Sequence, residues 1–292
     1  MMQYNKSPVK NIFTIDTEDW FHSNLKDNIS TENLQSTICE NVDVYLKHFS
    51  DYHVKATFFV LGIVAEKHPQ LIRDIASEGH EIACHGYGHQ LVYKQTPKQF
   101  REDVRKAKKI LEDLIGKGVL GYRAPSWSIT EKSLWALDIL EEEGFRYTSS
   151  IFPTKNFLFG IPYAPRFPHT HGIYGKKNLK LIQIPPSTFS CLGINVPFSG
   201  GAYFRVLPFP LIQHFTKSLN KQGHAVVFYL HPREIDPKQP RFEMPFRDRL
   251  IQYYGIGGCE KKLIKVLSRF TFETMQQFLE ENAEITAERE LE

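Results

Sequence analysis

The chain has 292 residues, 41% of them hydrophobic and 24% charged, with 36 basic against 33 acidic side chains. That length buries an ample core, as one large α/β domain or two small ones, while a net charge of +3 is too mild for a nucleic-acid binder, which would carry a basic stripe. Cys39, Cys84, Cys191 and Cys259 are far apart and form no C-x-x-C pair, which argues against a disulfide framework and against a thiolate zinc site.

The opening residues, MMQYNKSPVK, lack the apolar segment of a secretory signal. No stretch approaches the roughly 18 apolar residues of a membrane span. These features predict a cytoplasmic protein, with peripheral contact at a membrane surface left open. The first strand is predicted at 11–16 (NIFTID) and the second at 56–62 (ATFFVLG). A helix follows over 63–78, closed by Gly79. A third strand at 81–86 leads to a helix over 97–115, whose Phe100, Val104, Ala107, Ile110, Leu111 and Leu114 share one face. Strands at 119–125 and 147–152 flank a helix capped by Thr130, carrying its apolar stripe from Ser133 to Leu140 and ending at Gly144. Residues 153–223 are rich in Pro, Gly and aromatics and read as long loops with short strands, including 181–188. A last strand at 224–232 is followed by a loop over 233–270, a helix near 259–268 and a final helix from about 271 to 282, with a charged tail that frays. Repeated strand–helix alternation implies parallel strands with helices outside. An open doubly wound sheet and a closed barrel both fit; the barrel requires functional side chains at the C-terminal ends of several strands.

Polar residues do gather at those ends. Asp16, Glu18 and Asp19 close the first strand. Alternation puts Asp16 and Glu18 on one face, and Asp19 can swing in. Buried carboxylates so close repel unless a cation or proton intervenes, so a metal ligand plus a general base is one reading and a turn or helix cap the other. His85 and His89, in CHGYGH, are four apart, a spacing that puts both on one face of a helical turn and lets them bind one metal ion; the intervening glycines permit a tight turn. With a carboxylate they would form a two-His, one-carboxylate set with open positions. Arg123, in YRAPSWS, ends another strand and needs a carboxylate, Asp16 being the natural partner. Trp127 either lines a groove and stacks on a sugar or sits in the core. His231 ends the last strand before Pro232; it is a satisfied core histidine or, across a barrel mouth from Asp16, a general acid. Together these form a kit for hydrolysing an amide or ester: metal, base, orienting arginine and acid.

The sequences TIDTED, HGYGH, RAPSWS and YLHP, in this order, resemble the motifs of the NodB-type polysaccharide deacetylases, carbohydrate esterase family 4. The resemblance covers roughly residues 10–235. D-x-E-D-W-F, IPPSTFSCLGINVPFSGGAYFR, YLHPREID and a C-terminal DRLIQYYGIGGCEKKLIKVLSRFTF are similar to the branch associated with exopolysaccharide export systems, which extends the match to about residue 275. The resemblance implies an α/β fold, a distorted (β/α)7 barrel with long loop insertions and a short C-terminal helical extension: one domain over 1–292, barrel over 10–235 and extension over 236–282. It implies a divalent metal, usually zinc, held by His85, His89 and a carboxylate. It assigns Asp16 as base, Arg123 as the residue orienting it, and His231 as acid. The family has adjacent aspartates where this chain offers Glu18 and Asp19; register favours Glu18, side-chain identity Asp19, and both stay open. Gly86 stands where Ser or Thr is usual. Pro125, Trp127 and Tyr203 are expected to contact substrate, and Gly200 and Gly201 to let backbone approach a ligand. The implied activity is removal of N-acetyl groups from a polysaccharide or lipid-linked oligosaccharide. The alternatives are hydrolysis of a small cyclic amide or an O-acetyl ester, or a catalytically dead glycan-binding module.

Overall fold

The computed structural model describes residues 8–22, 34–154, 156, 159–176 and 178–282. Strand β1 (Asn11–Thr17) is buried along its whole length, as a parallel strand covered on both faces must be. The chain then forms helix α1 (Ile38–Asp51) and strand β2 (Thr57–Val60). The sequence reading passed over α1, although Ile38, Val42, Tyr45, Leu46 and Phe49 form a buried stripe at helical spacing.

The single helix expected over 63–78 is two, α2 (Gly62–Lys67) and α3 (Pro69–Ser77). Pro69 has no N–H and crowds the residue before it, so His68 leaves the helical region with φ −130° and ψ 57°. Strand β3 (Glu81–Cys84) precedes α4 (Pro97–Ile115), which runs over the expected residues from a Thr96–Gln99 capping box to a left-handed Gly116. Strands β4 (Gly121–Tyr122), β5 (Tyr147–Thr148) and β6 (Ile182–Gln183) are much shorter than the runs that announced them. Pro125, Pro153 and Pro185–Pro186 follow them and cannot donate to a ladder. Between β4 and β5, Thr130 caps a 3-10 turn, and α5 (Ala136–Glu142) starts later than predicted.

Residues 153–223 carry more order than expected. A hairpin of β7 (Thr188–Cys191) and β8 (Ile194–Pro197) is followed by α6 (Gly201–Val206) and the 13-residue α7 (Phe209–Lys221). After β9 (Val227–Leu230), part of the predicted loop is α8 (Phe246–Tyr253), and α9 (Ile256–Leu267) covers the helix expected near 259–268. The final segment opens as a short strand, β10 (Phe272–Glu273), before α10 (Met275–Glu281), which starts at a Thr274–Gln277 capping box. The charged tail beyond 282 lies outside the described residues.

Seven strands run parallel in the order β9-β1-β2-β3-β4-β5-β6, and β10 shares one edge of β1 with β2. The sheet coils into an open barrel. No ladder among the described residues joins β6 to β9; there the Ser187 hydroxyl accepts from the Val227 N–H at 2.9 Å, and the Ser199 carbonyl from the Tyr229 N–H at 3.1 Å. Gly200 completes this seam. A Cβ at Gly200 would lie 2.1 Å from the Tyr229 carbonyl oxygen, so its missing side chain serves strand–loop contact, not approach to a ligand. The extension is tied to the barrel floor: Glu81 accepts from Tyr147 Oη at 2.6 Å, from Thr57 Oγ1 at 2.7 Å and from the Gln276 N–H at 3.0 Å. No helix among the described residues is long and apolar enough to cross a membrane.

Candidate active site and metal centre

Because the strands are parallel, their C-terminal ends share one rim, and that rim collects the polar residues. Asp16 lies near the end of β1, and His85, Arg123 and His231 directly follow β3, β4 and β9. All but Arg123 line a groove of about 390 Å³, together with Glu18 and His89. Trp127, Phe159, Tyr203, Val206, Tyr229 and Ile251 form its apolar walls. A depression of about 510 Å³ beside Val9, Asn220 and Arg269 has no carboxylate or imidazole in its lining.

Arg123 is fully buried beneath the groove. Its Nη1 donates to Asp16 Oδ1 at 2.5 Å and to Thr14 Oγ1 at 2.8 Å, and its Nη2 to Ser149 Oγ at 3.0 Å. The guanidinium also sits 4.0 Å over the Phe59 ring, a cation–π contact strengthened by desolvation. Asp16 is therefore held by one oxygen, while its Oδ2 faces His231 Nε2 at 3.8 Å.

Glu18, His85 and His89 each present a ligand atom within 4.8 Å of the others, and all three are buried. The expectation that the two histidines share a helical turn is not met. Residues 85–89 form a loop, with Gly86 at φ +78° and His89 at φ +59°. Gly86 is needed for that left-handed conformation, whereas Gly88 is not. The fold still brings the imidazoles together, with ring centroids 5.5 Å apart. His85 Nδ1 donates to the Arg123 carbonyl at 2.7 Å, which fixes the ring and leaves Nε2 as its free nitrogen. Burial first of all holds the His85 pKa down to about 4, the neutral form a metal ligand requires. Glu18 Oε2 lies 2.5 Å from His89 Nε2, yet that oxygen and His89 Nδ1 have no partner in normal hydrogen-bond geometry. Burial opposes ionisation of Glu18, but the charges of His89 and His231 outweigh it and keep the carboxyl below its usual range. Two imidazoles, one carboxylate and unsatisfied buried donors fit a divalent cation in a site with open positions.

Asp19 points elsewhere. Its Oδ1 accepts from the Trp20 N–H at 3.0 Å and the Thr37 N–H at 3.4 Å, tying the end of β1 to the start of α1. Pro125 is buried and is not in the groove lining; it opens the turn Pro125–Trp127, in which Ser126 and Trp127 both have positive φ. Trp127 combines both earlier readings: it lines the groove and packs edge-on against Tyr229 at 4.5 Å and Phe152 at 5.2 Å. Tyr203 lies on the rim, and Gly201 contributes to the lining.

The sequence reading missed what stands behind His231. A 3-10 turn, Pro232–Ile235, brings Glu234 back so that His231 Nδ1 donates to its Oε2 at 3.2 Å. Arg205, from α6, donates to the other oxygen at 2.8 Å, and both side chains of that pair are 1% exposed. Arg205 also donates to the carbonyls of Tyr254 and Ile251, at the end of α8. The spacing of His231 and Glu234 was a readable signal; nothing in the sequence marks Arg205. Burial pulls the His231 pKa down, but the carboxylates of Glu18 and Glu234 overcome it and leave it raised. Glu234 is in turn lowered to about 2: burial opposes its charge, but the hydrogen bond with His231 and the charges of His231, Arg205 and Arg233 together outweigh it. The charged imidazolium is thus favoured, and a Glu234→Gln variant should move the alkaline limb of a pH–rate profile to lower pH, since protonated His231 is lost earlier as pH rises. An unmoved limb would show that Glu234 does not tune this histidine.

A family model described as "Polysaccharide deacetylase" matches residues 20–148, and "Domain of unknown function (DUF3473)" matches residues 149–280. Curated relatives include "Peptidoglycan deacetylase" of Helicobacter pylori, 36% identical over 106 residues that cover 36% of this chain and 35% of that protein. "Peptidoglycan-N-acetylglucosamine deacetylase" of Bacillus cereus is 38% identical over 94 residues, 32% and 34% of the two chains. The chain therefore spans about a third of the length of these relatives. Among solved structures, a Mycobacterium smegmatis protein assigned to the polysaccharide deacetylases has a TM-score of 0.66 at 20% identity, covering 99% of this chain and 94% of that one. "Puue Allantoinase" has a TM-score of 0.60 at 17% identity, covering 97% and 93%. These two likenesses show a common fold. His85, His89 and Arg123 lie in the first matched segment and His231 in the second, so the groove draws on both. By these matches residues 20–148 are similar to the polysaccharide deacetylases, within a barrel fold shared with solved members of that group.

Proposed function

We propose that this protein hydrolyses the N-acetyl groups of amino sugars in a polysaccharide or lipid-linked glycan, using a divalent cation, zinc by its donor set, held by Glu18, His85 and His89. The observation that carries this reading is one groove that holds the ligand cluster, Asp16 and His231 together. The cation would polarise the acetyl oxygen and acidify a water. Asp16 takes the proton from the attacking water with its free Oδ2, while Arg123 holds the other oxygen and keeps the carboxylate oriented. His231, charged and positioned by Glu234, gives its proton to the amine that departs. The aromatic walls suit the apolar faces of sugar rings. The exposed residues Phe246, Leu250 and Tyr254, four apart along α8 and its end, support peripheral contact with a lipid surface that carries a lipid-linked substrate.

The same groups would serve a small cyclic amide, and the barrel's likeness to an allantoinase keeps that reading in view. Acetate release decides between them. Zinc-loaded protein should release acetate from N-acetylglucosamine oligomers or a lipid-linked oligosaccharide and lose that activity on chelation. Turnover of a cyclic amide with no acetate from any glycan would reverse the assignment.

A further inference from the structure

Three arginines surround the groove, and two of them donate to protein acceptors close by, although Arg123 Nε has no partner. Arg123 is bound to Asp16, Thr14 and Ser149, and Arg205 to Glu234 and two carbonyls. Arg233 is different. It lines the groove two residues after His231, and its Nε and Nη1 are buried with no hydrogen-bond partner. Both oxygens of the neighbouring Glu234 are committed to Arg205 and His231. Two guanidinium nitrogens removed from water without partners are costly. Burial indeed works against the charge of Arg233, with Glu234 and Glu18 only partly compensating. The arrangement is restored to balance by an acceptor that arrives from the groove, and a planar guanidinium is best matched by a carboxylate or a phosphate.

Resting on the deacetylase reading above, we propose that Arg233 is a specificity residue that binds an acidic group of the substrate, so that the natural glycan is anionic close to the acetamido group that is cut. The acid is a carboxylate on the same or the adjoining sugar, or a phosphate at its reducing end. The acetamido carbonyl faces the Glu18–His85–His89 cluster, the nitrogen faces His231, and the acidic substituent reaches Arg233, which follows His231 in the same turn.

The test compares acetate release by the zinc-loaded protein from three probes: neutral N-acetylglucosamine oligomers, oligomers containing N-acetylaminouronic acid, and N-acetylglucosamine 1-phosphate. The wild type should favour an acidic probe by about tenfold or more in kcat/KM, as a difference near 1.4 kcal/mol gives, and the better of the two acidic probes identifies the acid. Arg233→Met should bring the acidic-to-neutral ratio to near one, and Arg233→Lys, which keeps the charge but loses the fork, should keep part of it. Equal losses on neutral and acidic probes would overturn the proposal and leave Arg233 as a general electrostatic balance to Glu18 and Glu234. Calorimetric binding of the same probes to metal-free protein separates the two claims. Tighter binding of an acidic probe, abolished in Arg233→Met, sustains the arginine's role even if no probe releases acetate; equal binding of all three removes it.

Discussion

Asp16→Asn should lower the rate of acetate release by roughly 10²–10⁴-fold, the usual contribution of a positioned general base. The amide keeps the shape of the carboxylate and can still accept from Arg123 Nη1, but it cannot take a proton from water. The substitution also leaves the fully buried Arg123 without its counter-ion, and removing one partner of a buried pair is destabilising. Two controls separate chemistry from collapse. Zinc content should be unchanged, because Asp16 is outside the ligand cluster. Arg123→Met combined with Asp16→Asn should recover stability, since both charges leave together, and should remain inactive. Activity of Asp16→Asn within a few-fold of wild type would remove Asp16 as the base.

Arg205→Met should lower the unfolding free energy by about 3–5 kcal/mol, the cost of stranding a buried charge. Glu234 would keep its hydrogen bond with His231 but lose the guanidinium that neutralises it. The carbonyls of Ile251 and Tyr254 would also lose their donor, loosening α8 from α6. Lys262, which donates to the Arg205 and Leu207 carbonyls at 2.6 and 2.7 Å, would still hold α9 in place, so the barrel should stay folded. Denaturant unfolding measures the loss. A double variant, Arg205→Met with Glu234→Leu, should regain most of it without regaining activity, because His231 then has no partner. A stability change under about 1 kcal/mol in the single variant would mean that water replaces the arginine easily and that the extension does not brace the acid.

The sequence made the rim legible because each functional residue ends an apolar run. A charged or imidazole side chain after a buried strand must face a partner or a cavity, and parallel strands send all such ends the same way. What was not legible depends on tertiary contact. Asp19 resembles a ligand until α1 is seen to start beside it and to take its Oδ1 through the Thr37 N–H. Glu18 keeps the register of Asp16, and in the fold it is Glu18 whose carboxylate reaches the histidines. His85 and His89 have helical spacing, yet two left-handed residues turn the loop instead. Helix α7 hid behind Pro208, Pro210 and residues of modest helix propensity, although Phe209, Ile212, Thr216 and Leu219 mark its buried face. Arg205 gave no sign at all, because its role depends on a carboxylate 29 residues away. The glycine at 200 was legible as a constrained position, but its reason, the carbonyl of Tyr229, belongs to the seam of the open barrel.

Zinc titration of the apo-protein and of four single variants tests the account at its centre. The wild type should bind one ion per chain. Glu18→Ala, His85→Ala and His89→Ala should each weaken binding by more than the roughly 10–100-fold typical of an outer-shell change, while Asp19→Ala should bind as the wild type does. Tight binding that survives loss of Glu18 and fails with Asp19, or that ignores both histidines, would contradict it.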